Sequence, residues 1–152
     1  MLAVSSLNKS FGAVRAVDDV SFAVAPGEIF GIAGPNGSGK STLFNAITAI
    51  PFRADSGIVV FAGRQIQDTP AHQRAALGLV RTFQRDTVFA SLSAVDNVLL
   101  AIEHTGRGGS FDRNVILATQ ALDAVGFPAT LHNWKAAELP IFLRKLVMIA
   151  GA

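Results

Sequence analysis

The run Gly34-Pro35-Asn36-Gly37-Ser38-Gly39-Lys40-Ser41-Thr42 sets one lysine and two hydroxyls behind three glycines, in the spacing G-x-x-x-x-G-K-[ST]. A triphosphate is a dense anion that needs many donors converging within a few ångströms. Gly34, Gly37 and Gly39 let the backbone curl so that successive N–H groups point inward. A helix opened by such a loop adds the positive end of its dipole. Lys40 supplies a mobile charge for the β- and γ-phosphates. The Ser41 hydroxyl is the expected ligand of Mg²⁺, and Thr42 can donate to the α-phosphate. The plainer reading is a glycine-rich strand-to-helix turn, and the flanking elements favour the phosphate. The motif alone separates neither ATP from GTP nor hydrolysis from transfer.

A strand must deliver the chain to this loop and a helix must leave it. Ile29-Phe30-Gly31-Ile32-Ala33 is a continuous apolar run, which predicts a parallel-sheet strand buried on both faces. Leu43, Ile47 and Ile50 share a helical face at i, i+4 and i+7, and Pro51 is expected to end that helix. Upstream, Val20, Phe22 and Val24 alternate with Ser21 and Ala23, the pattern of a strand with one buried face. Pro26-Gly27 is a turn signal. Downstream, residues 58–61 read as a short strand closed by Gly63, residues 70–76 as a short helix and residues 79–82 as another strand.

After about residue 85 the period changes. Val95, Val98, Leu99 and Ile102 recur at i, i+3, i+4 and i+7, as do Ala118, Ala121, Leu122 and Val125, and again Leu143, Leu146, Val147 and Ala150. These spacings predict three amphipathic helices. Gly106, Gly108 and Gly109 mark a flexible link between the first two, and Gly126 and Pro128 separate the second from the third. The expected organisation is an α/β nucleotide-binding core over 1–84 and a helical part over 85–152, with a boundary near 84–93.

Composition narrows the classes further. The chain has 152 residues, room for one domain with a sizeable core. Half are hydrophobic and only 16% are charged, so part of the surface is expected to meet a partner. A net charge of +2, with no basic run carrying interleaved aromatics, argues against nucleic acid. There are no cysteines, which rules out disulfides, zinc thiolates and a thiol nucleophile. The start of the chain does not read as a signal peptide, and no apolar stretch approaches a spanning helix. A soluble or membrane-peripheral protein, compatible with a reducing cytosol, is expected.

Several segments carry a resemblance. The loop wording Gly-Pro-Asn-Gly-Ser-Gly-Lys-Ser-Thr is typical of ABC ATPases. Ser10-Phe11-Gly12-Ala13-Val14-Arg15-Ala16-Val17-Asp18-Asp19-Val20-Ser21-Phe22 looks like the start of a branched-chain amino-acid importer ATPase. Val80-Arg81-Thr82-Phe83-Gln84 looks like the family's Q-loop, followed by Val88-Phe89 and Val95-Asp96-Asn97-Val98, and Leu139-Pro140 suggests the same branch. The chain therefore resembles the ATP-binding subunit of an ABC transporter of the branched-chain amino-acid importer type. The resemblance implies a P-loop NTPase fold with an N-terminal β subdomain and a helical subdomain.

It further implies ATP and Mg²⁺ as cofactors. Phe11 would stack on adenine, its other reading being a core aromatic. Gln84 would reach the Mg²⁺ or the attacking water and report to the membrane subunit. Residues 85–98 would lie near the groove that receives the permease's coupling helix, with Val88, Phe89 and Leu92 either core or interface. The implied partners are membrane permease subunits and a second ATP-binding subunit, at the inner face of the cell membrane.

Two departures stand out. Phe142 and Leu143 occupy the positions of the family's signature Gly and Gln, where backbone must approach phosphate. An apolar strand ending in Asp-Glu and a later switch histidine, expected in the family, do not occur by Ala152. His72, His104 and His132 stand elsewhere and read as solvated or locally bonded. The expectation is an incomplete C-terminal core, marginal stability, and ATP binding without efficient hydrolysis. The alternatives are a non-catalytic nucleotide- or partner-binding module, a non-functional pseudogene fragment and, more distantly, an unrelated P-loop kinase.

Overall fold

The computed structural model describes residues 1–83, 85, 87–104 and 109–152. It divides into two compact units, Met1–Leu79 and Val80–Ala152.

The first unit is a four-stranded antiparallel sheet carrying a helix. The strands are β1 (Leu2–Phe11), β2 (Val14–Val24), β3 (Ser56–Phe61) and β4 (Arg64–Gln65), in the order β2-β1-β3-β4. Alternation in β2 works as read: Val20 and Phe22 pack inward while Ser21 and Ala23 stay exposed. A two-residue turn with Gly12 at φ 58° joins β1 to β2 and places Phe11 at the hairpin tip, opposite Val14. Near that tip Lys9 pairs with Val17 and Ser10 with Arg15, so Ala16 is an extra residue, a β-bulge.

Helix α1 (Lys40–Thr48) buries Leu43, Ala46 and Ile47 against Val4, Leu7, Val17, Val59, Phe61 and Ile66. It ends earlier than Pro51. Ala49 turns left-handed at φ 58°, and the Ile50 amide closes back on the Asn45 carbonyl at 3.0 Å, so Ile50 lies beyond the helix. Helix α2 (Ala71–Ala76) follows β4.

Two expected strands are not strands. Residues 29–33 join no strand ladder among the described residues, and Ile29 is 99% exposed. An apolar run becomes a doubly buried strand only when neighbours supply both ladders, and local sequence cannot supply them. Residues 79–82 likewise join no strand ladder among the described residues. The Leu79 amide instead closes the end of α2 on the Arg74 carbonyl at 3.0 Å, past Gly78 at φ 99°.

The second unit contains the three expected helices, α3 (Ala94–His104), α4 (Phe111–Ala124) and α5 (Ile141–Ala150). Ala94, Val98, Leu99, Ala118, Leu122, Phe127, Leu139 and Val147 form its core. A reciprocal capping box starts α3: the Asp96 amide donates to Ser93 Oγ at 3.1 Å and the Ser93 amide donates to the Asp96 carboxylate at 3.4 Å, with Ser93 Oγ donating to the same carboxylate at 2.6 Å. None of these helices is long and apolar enough to cross a membrane.

Candidate functional site

The glycine loop runs from the segment 29–33, which joins no strand ladder among the described residues, into α1. Its turn is at Asn36-Gly37, and the Ser38 amide donates to the Pro35 carbonyl at 3.3 Å. Gly37 and Gly39 lie at φ 85° and 87°, a region that glycine enters without strain. Gly39 is required for a second reason. A Cβ there would sit 2.1 Å from the Ala16 carbonyl oxygen. The bulge in β2 thus packs backbone to backbone against the last glycine of the loop.

The first helical bond of α1 runs from the Leu43 amide to the Gly39 carbonyl at 2.8 Å. No side chain caps the helix. Among the described residues, no acceptor takes the amides of Lys40, Ser41 or Thr42. Unsatisfied amides at a helix start form an anion site, reinforced by the helix dipole. The Lys40 ammonium folds back on the same loop, donating to the carbonyls of Gly34 at 2.8 Å and Pro35 at 2.7 Å and to Ser38 Oγ at 3.3 Å. Gly34, Asn36, Gly37, Ser38 and Ser41 are exposed and Thr42 is half-buried, so the donors face open space.

Phe11 is 47% exposed. It lies one strand across from the bulge and two residues along, about 8 Å from Ala16 by ordinary sheet spacings. Its ring meets Phe52 edge-on at 5.0 Å, and the Lys9 ammonium stands 5.3 Å from one ring centre and 5.5 Å from the other. Lys9 also pairs with Asp55, which accepts from the Ser10 amide at 2.6 Å. The hydrogen bond from Lys9, then that from Ser10, holds the Asp55 carboxyl below the usual carboxylate range.

Gln84 lies outside the described residues. Of the two signature positions, Phe142 is 68% exposed in the first turn of α5, while Leu143 packs against the helical core. Val88 also joins that core, whereas Phe89 is exposed. Of the two readings given for His132, solvated or locally bonded, the structure has the local one. His132 is buried beside Phe127, with Nε2 3.5 Å from an Asp123 carboxylate oxygen.

Three features escaped the sequence reading. The Ala16 bulge has no local signal. Asn97 clamps the chain before α3: the Phe89 amide donates to Asn97 Oδ1 at 2.7 Å, and Asn97 Nδ2 donates to the carbonyls of Phe89 and Ser93 at 3.1 and 2.8 Å. Arg74 is only 1% exposed, and its guanidinium donates to four backbone carbonyls. Burial first, then the neighbouring Arg53 charge, lowers its pKa from the ordinary guanidinium value, with Asp68 opposing. A guanidinium remains charged through such a shift.

The donor set fits a polyphosphate, with the Ser41 hydroxyl free for a hard cation held jointly with it. No group of three or more His, Asp or Glu gathers for a metal among the described residues. An antiparallel sheet, a glycine loop and an uncapped helix with its lysine define a mixed α/β protein of the P-loop NTPase class.

Comparison with known proteins makes the class narrower. Residues 17–152 match the ABC transporter family model, and the chain belongs to that family. It is 39% identical over 101 residues to the high-affinity branched-chain amino acid transport ATP-binding protein BraF of Pseudomonas aeruginosa, covering 66% of this chain and 39% of that protein. It is 38% identical over 106 residues to the probable branched-chain amino acid transport ATP-binding protein LivG of Archaeoglobus fulgidus, covering 70% and 41%. The matched stretch thus spans about two fifths of these relatives. Among solved structures, a nucleotide-free ATP-binding cassette from an ABC transporter superposes with a TM-score of 0.83 at 31% identity, over 100% of this chain and 64% of that one. A dimeric bacterial ABC transporter cassette at 24% identity, with a TM-score of 0.85 over 99% and 68% of the two chains, shares the fold.

Proposed function

We propose that this chain is the ATP-binding part of an importer for branched-chain amino acids, and that residues 34–42 hold Mg-ATP. The observation that carries this reading is the set of free amides at Lys40, Ser41 and Thr42 beside the Lys40 ammonium. On binding, Lys40 exchanges its carbonyl contacts at Gly34 and Pro35 for phosphate oxygens, and the amides of 39–42 complete the cradle. Ser41 turns its hydroxyl toward Mg²⁺, which neutralises phosphate charge when bound. Phe11 offers its exposed face to the adenine, with Phe52 and Lys9 fixing the ring from the side. By the family resemblance, Gln84 would be a further ligand of that cation.

The permease meets the segment before α3 at the cytoplasmic face of the membrane. The Asn97 clamp holds Phe89 outward there, an aromatic of the kind enriched in interface cores. A second ATP-binding subunit closes over the nucleotide.

One observation favours binding without turnover in this chain. Phe142 stands at the opening of α5, where the family presents backbone to the phosphate held by the second subunit. A phenylalanine side chain blocks that approach.

The test is calorimetric titration of the purified chain with Mg-ATP, alongside Lys40→Ala. Saturable binding that the variant loses supports the reading. No binding to a soluble, folded wild type overturns it.

A further inference from the structure

Arg74 belongs to α2, yet it grips α1. Its Nη1 donates to the carbonyls of Ala46 and Ile47, at 3.4 and 2.5 Å, in the last turn of the helix whose first turn opens from the glycine loop. Its Nε donates to Thr69 and its Nη2 to Gln67, at 2.8 and 2.7 Å, both carbonyls in the connection from β4 to α2. Four acceptors converge on one planar fork with a relative exposure of 1%. The left-handed exit at Ala49 gives the Ala46 carbonyl an amide donor at 3.4 Å, but among the described residues no amide reaches the Ile47 carbonyl, which Arg74 takes up. A buried guanidinium there also sits at the negative end of the helix dipole. α1 is nine residues long, about 13 Å, and rigid at that length. A tilt released at its carboxyl end therefore reappears at the amides of 40–42.

We propose that Arg74 is a positioning residue for the nucleotide: it pins the carboxyl end of α1, so aiming the phosphate loop, and ties that helix to the segment 67–79. The inference rests on the nucleotide reading of the loop and adds a residue that touches no ligand. Arg74 never contacts phosphate, so any effect on affinity passes through α1. Lysine cannot replace it, because a three-donor point charge does not reproduce a fork that reaches four carbonyls on two segments.

The experiment compares wild type, Lys40→Ala and Arg74→Lys by Mg-ATP titration, with circular dichroism to confirm folding, and by hydrogen exchange with and without Mg-ATP. Folded Arg74→Lys is expected to bind roughly tenfold more weakly, the scale on which small misplacements of binding groups act. In wild type, Mg-ATP is expected to slow exchange in 67–79 as well as in 37–45. In Arg74→Lys the slowing at 67–79 is lost. Arg74→Lys binding within about twofold of wild type, while Lys40→Ala does not bind, overturns this inference and leaves the nucleotide reading standing. Absence of binding by wild type overturns both. If Arg74→Lys does not fold, the wild-type exchange decides: slowing at 37–45 with none at 67–79 rejects the tie.

Discussion

Gly39 meets the one bulged residue of the hairpin that carries Phe11. Ala16 presses its carbonyl into the space a Cβ would need at Gly39, and the same hairpin carries Phe11 at its tip. Gly39→Ala therefore meets two penalties, a left-handed φ and a collision with main chain. It is expected to lower unfolding stability by about 1–3 kcal/mol and to abolish Mg-ATP binding; urea denaturation and titration check the two parts. Phe11→Ala tests a different contact. It is expected to weaken Mg-ATP about tenfold, the value of one base stack, and to leave inorganic tripolyphosphate unaffected. Equal losses for both ligands would place Phe11 in the scaffold. The phosphate loop was legible in the sequence because its function fixes residue type and spacing at adjacent positions. Ala16 and Arg74 were not, because each acts on backbone brought near by folding, and any small residue or any arginine looks the same beforehand.

At the scale of elements, periodicity found what it physically encodes. The α3, α4 and α5 faces were readable because each helix buries one stripe of its own surface. Residues 29–33 and 79–82 were misread as strands because a strand is a relation between segments, and apolar content says nothing about a ladder partner. Where strands do pair, β1 and β3 are tied at one end by Asp55, through the Lys9 side chain and the amide of Ser10, while the Asp55 amide donates to the Asn8 carbonyl at 2.8 Å. The folded-state pKa of Asp55 is depressed, so its stabilisation is present in full above the unfolded carboxylate value. It is lost as pH falls through the lower folded value. Wild type is thus expected to lose stability across that acidic window, and Asp55→Asn to show a flatter profile there. Thermal unfolding between neutral and strongly acid pH measures both, and parallel profiles for the two proteins would refute the tie.

For the whole molecule, the governing quantity is apolar surface left in water. Ile29, Phe30 and Phe44 are exposed in the first unit, and Phe89, Ile141, Phe142 and Ile149 in the second. Single exposed apolar side chains are ordinary, whereas several large ones on neighbouring positions mark surfaces that associate. Ile29 and Phe30 adjoin on a segment whose backbone also joins no strand ladder among the described residues, so its amides and carbonyls can accept a strand from another chain. Ile141, Phe142 and Ile149 crowd one helix that starts without a side-chain cap. The purified chain is therefore expected to associate as concentration rises, at a midpoint of thermal unfolding that depends on concentration. Sedimentation velocity across a concentration series measures the first property and calorimetric scans the second. Replacing Ile29 and Phe142 separately by glutamate divides the cause. If the first variant restores a monomer, the unpaired segment drives association through its edge. If only the second does, the apolar start of α5 is the contact. A wild type that stays monomeric with a concentration-independent unfolding midpoint would show that neither surface is sticky enough to overcome the entropy of association.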